Sequence, residues 1–382
     1  AVGHLTLSTE DEHGFNVAVG HQALLNLNAG ANGENVGVGY LAGKSMTTAV
    51  GNTLIGSQAG DALTDGSANV AIGKGAMSAD TRGQNGVAIG RDALLSQNFT
   101  SSTDSYNVAI GRSAGEQITT GIRNVLIGAL AGDAFTDADY NVGIGLSALT
   151  ADTLGTGSVA IGYKALSLQN FTSATTTGNI AVGYNAGFSS TTGTNNTFIG
   201  NNAGYSNTDA GYNTAVGDNA LYTNTRGTHN VAIGHKALYT LNKTSSDATR
   251  NVAVGNDAGE SITTGYENVF VGRRAGKNHT EGYRNTLLGT QAGAGMTTGA
   301  NNICIGYQAA AYSGQTQVTT GGNNILIGNY SRPSGSNVGY ETVIGYNVGG
   351  QGSQTFTFGQ GSTDTSISFG GTSWSAPSDE RL

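Results

Sequence analysis

Charge is scarce in this chain. Only 11% of its 382 residues are Asp, Glu, Lys or Arg, and the formal net charge is -8. Phosphate-backbone binding asks for a basic face, so this balance argues against nucleic acid as a partner. Cysteine occurs once, as Cys304, so no intrachain disulfide forms, and the redox compartment is not readable from it. No apolar run approaches the roughly 20 residues of a membrane-spanning helix, which argues against membrane insertion, and no stretch reads as a signal peptide. The six histidines, among them His21, His229, His235 and His279, stand at variable positions that read as exposed. None has a second ligand at metal spacing, so neither a metal nor a cofactor is expected.

Glycine is what the chain has in excess, with 62 residues but no Gly-X-Y period, which rules out collagen. The glycines belong to a five-residue motif that recurs nineteen times, in full form Asn107-Val108-Ala109-Ile110-Gly111. Most closing glycines are 17 residues apart, as in Gly111, Gly128, Gly145 and Gly162, and every fourth gap lengthens to 21 or 22. Three gaps of 17 and one of 21 make a higher unit of 72 residues. A fixed period this short marks a repeat architecture.

Five residues between glycines cannot build a helix. Alternate side chains of a strand share a face, and β-branched residues suit a pleated, buried surface. The fourth position never leaves Val, Ile and Leu, so Val19, Ile55, Ile72, Ile110, Ile127, Ile199, Ile233, Ile305 and Ile344 are expected to form a continuous dry column. On that reading Ile110→Asp breaks the local stack. The third position is mostly Ala, enlarged on schedule at Leu54, Leu126, Phe198 and Phe270, each 72 apart. It points the other way and suits a close neighbour, including another chain. The first position is Asn except at Gly86, Ser158 and Glu341. Stacked Asn side chains form amide ladders, and Asn also tolerates turns; both readings stand.

After each glycine two variable residues precede an Ala in seventeen of nineteen copies, and the next residue is Gly or Leu alternating in pairs, as in Gly115 and Gly132, then Leu149 and Leu166. The fold class expected is all-β, a parallel β-solenoid or β-roll of about nineteen coils. At about 4.8 Å per coil such a stack reaches roughly 90 Å. Residues 1–349 read as one repeat array and 350–377 as a C-terminal β cap anchored by Trp374. The opening Ala1-Val2-Gly3 reads as the tail of an earlier repeat. The longer fourth gaps form loops, three of which carry Asn-x-Thr at Asn98, Asn170 and Asn242. That is a glycosylation pattern, though turn residues copied by duplication give the same pattern. Tyrosines after the glycine, such as Tyr40, Tyr163, Tyr184, Tyr307 and Tyr346, offer either sugar stacking or packing. Gly37-Val38-Gly39 belongs to the repeat and is no phosphate loop. Asp137-Ala138-Asp139 reads as a turn.

Asn-Val-Ala-Ile-Gly followed by x-x-Ala resembles the head repeats of trimeric autotransporter adhesins, which pack as left-handed parallel β-rolls, three chains side by side. Their repeat is shorter than 17 residues and lacks the 72-residue grouping seen here. Similar longer repeats occur in phage tail fibres. The end of the chain, Ser378-Asp379-Glu380-Arg381-Leu382, is similar to the opening of the intramolecular chaperone domain of endosialidase-type phage tail spikes and fibres. In that family the chaperone trimerises the fibre and then cuts itself off beside this serine with a serine–lysine pair. The resemblance makes Ser378 the self-cleavage serine, with residues 378–382 opening a chaperone domain whose lysine would directly follow Leu382.

Together these resemblances imply a homotrimeric, non-enzymatic fibre of a phage virion that gives reach and host attachment. Its expected partners are its own copies, a cell-surface glycan or protein receptor, and other fibre or baseplate proteins. A bacterial trimeric surface adhesin is the alternative. A glycan- or ice-binding solenoid is a second; it asks for one exposed Thr or aromatic ladder, whereas the residues after Gly20, Gly39, Gly56 and Gly73 are His, Tyr, Ser and Lys.

Overall fold

The computed structural model describes residues 1–10, 14–29, 32–243, 245, 247–311, 318–361 and 364–373. Trp374 and Ser378 lie outside the described residues. The chain forms two compact units, Ala1–Asn195 and Asn196–Leu382. Both are parallel β-solenoids, about 20 turns in all at a recurring spacing of 17 residues, with no helix among the described residues.

The first unit stacks ten three-residue strands, from Val17–Val19 to Ile180–Val182. Successive strands pair in parallel with equivalent motif positions opposite one another, as in Val108↔Val125, Ala109↔Leu126 and Ile110↔Ile127. At its start Val2 bridges Val19, and Gly3 takes the φ of +137° typical of a closing glycine, so these residues occupy coil positions. Two of the longer loops lay a short strand on the preceding coil: Thr103–Asp104 pairs with Gly83–Gln84, and Thr175–Thr176 with Gly155–Thr156.

The second unit runs from Thr197–Ile199 to Thr342–Tyr346 in the same parallel manner. Thr355–Gln360 then adds in parallel, and Thr365–Ser368 turns back antiparallel against it. This reversal ends the run of equivalent coils.

A strand of three residues has one inward side chain between two outward ones. In every coil the inward one is the third motif position: Ala18, Ala109, Ala160 and Ala232 are buried. Ala fits because the coil bends tightly. The second residue after the glycine and, usually, the fourth lie in left-handed backbone, for example Asp92 at φ +60° and Leu94 at φ +49°. That conformation favours glycine, which is why Gly alternates with Leu at the fourth of these places.

The alternation also shapes the interior. A Cβ on Gly115 would sit 3.0 Å from Leu126, and one on Gly132 would sit 2.8 Å from the same side chain. Leu126 thus fills the space left by both glycines. Leu54 does the same between Gly43 and Gly60, and Phe270 between Gly259 and Gly276. The large third-position residues spaced by 72 are the plugs for the paired glycines. The seventh residue after the glycine, Ile118 or Phe135 in these coils, completes the core.

The Asn column is a hydrogen-bond ladder. The Asn124 backbone N–H donates to Asn107 Oδ1 at 2.9 Å, and its Nδ2 donates to the Ala138 carbonyl at 2.7 Å. The same pattern recurs at Asn52, Asn141, Asn268 and Asn302, all buried.

Candidate assembly surface

The expected dry column of fourth-position residues is not the core. Ile55, Ile199 and Ile233 are 38%, 39% and 39% exposed; Val19 and Ile344 are likewise exposed, and Ile72, Ile110, Ile127 and Ile305 are half-buried. Side chains do alternate with period two, but the second and fourth positions face outward and the third faces inward. Each coil turns one strand side chain inward, Ala or, where paired glycines leave space, Leu or Phe, and the two flanking residues turn out. The third-position face, read as suiting a neighbouring chain, is therefore closed inside the coil.

Each unit consequently presents two parallel outward columns at the second and fourth motif positions. In the first unit they run Val17, Val36, Thr53, Val70 beside Val19, Val38, Ile55, Ile72, and continue to Ile180 beside Val182. No charged residue enters either column. Beside the fourth position lies the glycine column. A Cβ on Gly39 would stand 2.6 Å from the Gly56 carbonyl carbon, so any side chain there is blocked and the ground stays flat. In the second unit the columns end on Phe356 and Phe358, which register with Thr342 and Ile344; Phe358 is exposed. Monomeric soluble proteins rarely expose contiguous apolar patches beyond a few hundred Å². In the first unit ten strands give twenty such outward positions, all aliphatic but Thr53, and side chains about 4.8 Å apart along each column make a patch of that kind.

The other faces carry polar and aromatic columns. Tyr205, Tyr222 and Tyr239 stack at 5.1 and 5.2 Å between centroids, and Tyr163 stacks on Tyr184 at 5.0 Å. Stacking hides the ring faces a sugar would use. Tyr40 lies on His21, and Tyr307 meets Tyr330 edge-on. Asn98, Asn170 and Asn242 each accept a hydroxyl hydrogen bond from the previous coil, from Thr81, Thr153 and Thr225. They extend a Thr column, which favours the duplicated-turn origin of the Asn-x-Thr pattern. Glu267 lies between Arg250 and Arg284, at 3.3 and 2.9 Å, and its hydrogen bond with Arg284 holds the carboxyl below its usual range. Asp137 accepts from Thr120 and Asp139 from the Ile122 amide, as expected of turn residues.

His235 stands exposed between Asp218 and Asp257, and His229 stacks on Tyr212. His279 departs from its expected exposure: it is fully buried at the seventh place after Gly272, edge-on to Phe270 at 5.5 Å. No group of three or more His, Cys, Asp or Glu suited to a metal occurs among the described residues. Cys304 is fully buried at a third position, and burial pushes its thiol up to about 12, so it is inert packing.

Burial pulls His279 down to about 4, opposed in lesser part by a hydrogen bond with the Gly282 backbone. The unfolded chain therefore takes up a proton near pH 6.5 that the folded one refuses until about pH 4. The stability tied to neutral His279 is complete above pH 6.5 and is lost as the pH falls toward 4. The shift from 6.5 to about 4 corresponds to a loss of about 3 kcal/mol. Urea midpoints at pH 7.5 and 4.5 measure it. His279→Asn, which installs the residue found 72 positions earlier at Asn207, is expected to remove this part of the slope.

No family model, no curated protein and no solved structure matches this chain.

Proposed function

We propose that this chain is a structural fibre protein of an extracellular appendage, a phage tail fibre, whose copies assemble as a homotrimer through the outward aliphatic columns. The observation that supports this reading most is the placement of Val, Ile and Leu at two outward positions of nearly every coil. Burying such columns against other copies removes them from water at about 25 cal/mol per Å². Repetition of one interface element per coil also makes the association grow with coil number. The role is mechanical reach and host attachment rather than chemistry. A cell-surface glycan or protein is the receptor, and other fibre or baseplate proteins hold the base.

Sedimentation equilibrium tests the assembly, with an expected mass near three times 38.5 kDa. A mass of 38.5 kDa at micromolar concentration would remove the basis of the reading. The coding sequence after Leu382 separates fibre from adhesin. A lysine codon opening a chaperone-like domain supports the fibre, and a membrane-anchor domain supports the adhesin. The ice-binding alternative is disfavoured because the outward columns are aliphatic, with Thr at the second position only at Thr53, Thr197, Thr214, Thr286 and Thr342.

A further inference from the structure

A stack of near-identical coils has a register problem. Any coil could settle on the wrong copy with its strand and backbone ladders intact, and repeat proteins characteristically misassemble in this way. Where Ala follows Ala, as at Ala71, Ala88 and Ala109, the aliphatic interior does little to prevent it.

Two places in the first unit break that uniformity. Asp80, fully buried at the seventh place after Gly73, accepts from Gln97 Nε2 at 2.6 Å in the next coil. Its other oxygen accepts from the amides of Gly83 at 2.9 Å, Arg82 at 3.3 Å and Phe99 at 3.3 Å. Gln97 Oε1 in turn accepts from Asn107 Nδ2 at 2.9 Å, reaching a third coil. Seventy-two residues later Asp152 repeats the set with Gln169 at 2.6 Å, Gly155 at 3.1 Å and Phe171 at 3.0 Å, and Gln169 accepts from Asn179 at 2.9 Å. Both networks sit where the Asn ladder is interrupted, at Gly86 and Ser158. Both also hold the longer loop, because Phe99 and Phe171 are the loop residues whose amides reach the carboxylate.

We infer that the Asp80–Gln97 and Asp152–Gln169 pairs are register keys, which admit as next neighbour only a coil carrying Gln at the matching place and the long loop behind it. Were Asp80 stacked instead on the following coil, it would face Ile118, leaving a buried carboxylate without its Gln and Phe99 donors. Breaking a buried polar pair by removing one partner is strongly destabilising, whereas exchanging both members for apolar residues is often neutral. The keys therefore select register more than they add stability. The third 72-residue unit shows what an unkeyed coil looks like. Asn224 replaces Asp, accepts from the Gly227 amide at 2.9 Å, and donates to the Gly227 carbonyl at 2.8 Å and back to Asn207 Oδ1 of the preceding coil at 3.3 Å. Leu241 replaces Gln and is plainly apolar.

That unit supplies the test variant, Asp80→Asn with Gln97→Leu, a pair this fold already accepts. In a Cys304→Ala chain, cysteines at Val70 and Val87 mark adjacent coils, and cysteines at Val70 and Val108 mark second neighbours. The full chain is refolded from urea under oxidising conditions, the band that runs as a single chain on a non-reducing denaturing gel is excised, and its intrachain disulfides are read by peptide mass spectrometry. With the keys intact, 70–87 should form and 70–108 should be at background. With the keys replaced, the 70–108 product is expected to rise at least tenfold while the folded circular dichroism signal is kept. An unchanged 70–108 yield in a folded variant overturns the inference. Should Asp80→Asn/Gln97→Leu fail to fold, the same cysteine pairs in Asp80→Leu/Gln97→Leu decide: a folded chain with background 70–108 overturns it too, and failure of both to fold shows that the networks carry stability rather than register, which also overturns it.

Discussion

Ala109→Asp and Ile110→Asp, neighbours in one strand, are expected to fail in opposite ways. Ala109 is fully buried, with Ala88 and Leu126 opposite it in the flanking coils. A carboxylate there has no partner and no water, and an unpaired buried charge costs at least about 3–5 kcal/mol. Ala109→Asp should therefore lower the urea midpoint sharply and lose strand signal around its coil. Ile110 is only half-buried in the single chain. Its replacement costs a partial burial of side-chain area, within about 1 kcal/mol. In the proposed trimer, however, the new carboxylates from each copy would meet inside a desolvated aliphatic column, so Ile110→Asp should give a folded chain that sediments near 38.5 kDa. This inverts the expectation that Ile110→Asp breaks the coil. Equal unfolding by both variants would refute the inward–outward assignment; an Ile110→Asp protein that keeps the wild-type mass would refute association through this face.

The repeat, the strands and their parallel stacking were legible because the period is printed in the glycines. Gly39, Gly56 and Gly73 must be glycine, since their backbone runs at φ +135° to +138° against the next coil's carbonyl. The amide ladder was legible too, though only as one of two readings of Asn. What could not be read was which face of a three-residue strand is inside. Hydrophobicity pointed to Ile110, while the deciding fact is the width of the coil, set by left-handed residues such as Asp92 and Leu94 whose conformation the sequence does not announce. His279 was misplaced for a related reason. The seventh place after the glycine holds Leu63, Asp80, Phe135, Ser190, Asn207 and His279, a mixture that looks like a variable surface position and is buried throughout. A signal existed in hindsight. Where Gly stands three residues earlier, as before Leu63 and Phe135, the seventh residue tends to be large. Where Leu or Met stands there, it is polar at Asp80, Gln97, Asp152, Gln169 and Asn224, each held by side-chain hydrogen bonds, and apolar at Leu27 and Leu241. That volume exchange only makes sense for side chains sharing one enclosed space.

Asn124→Ala is expected to be a strongly destabilising truncation in the first unit. Asn124 Oδ1 accepts from the Asn141 amide at 3.0 Å and from Asn141 Nδ2 at 3.2 Å, and its Nδ2 donates to the Ala138 carbonyl at 2.7 Å. Removing it leaves a buried N–H and a buried C=O without partners, each costing about 1–3 kcal/mol, for a sum of about 3–5 kcal/mol. The chain's own exceptions support that arithmetic. Where Ser158 replaces Asn, its hydroxyl bonds Thr177 at 2.6 Å and Gln169 at 2.8 Å, so a network has grown in where the amide is missing. Asn124→Ala has no such replacement nearby. Because each coil of a solenoid is stabilised mainly by its neighbours, the loss should be local. Amide hydrogen exchange is the suitable measurement: the Asn141 amide and the coils from 107 to 158 should lose protection by two or more orders of magnitude, while the first coils stay as protected as before. Asn201→Ala, at an exposed residue whose side chain donates to Asp218, should change nothing beyond about 0.5 kcal/mol. Protection at Asn141 that survives Asn124→Ala would mean the amide column is a consequence of stacking rather than one of its causes.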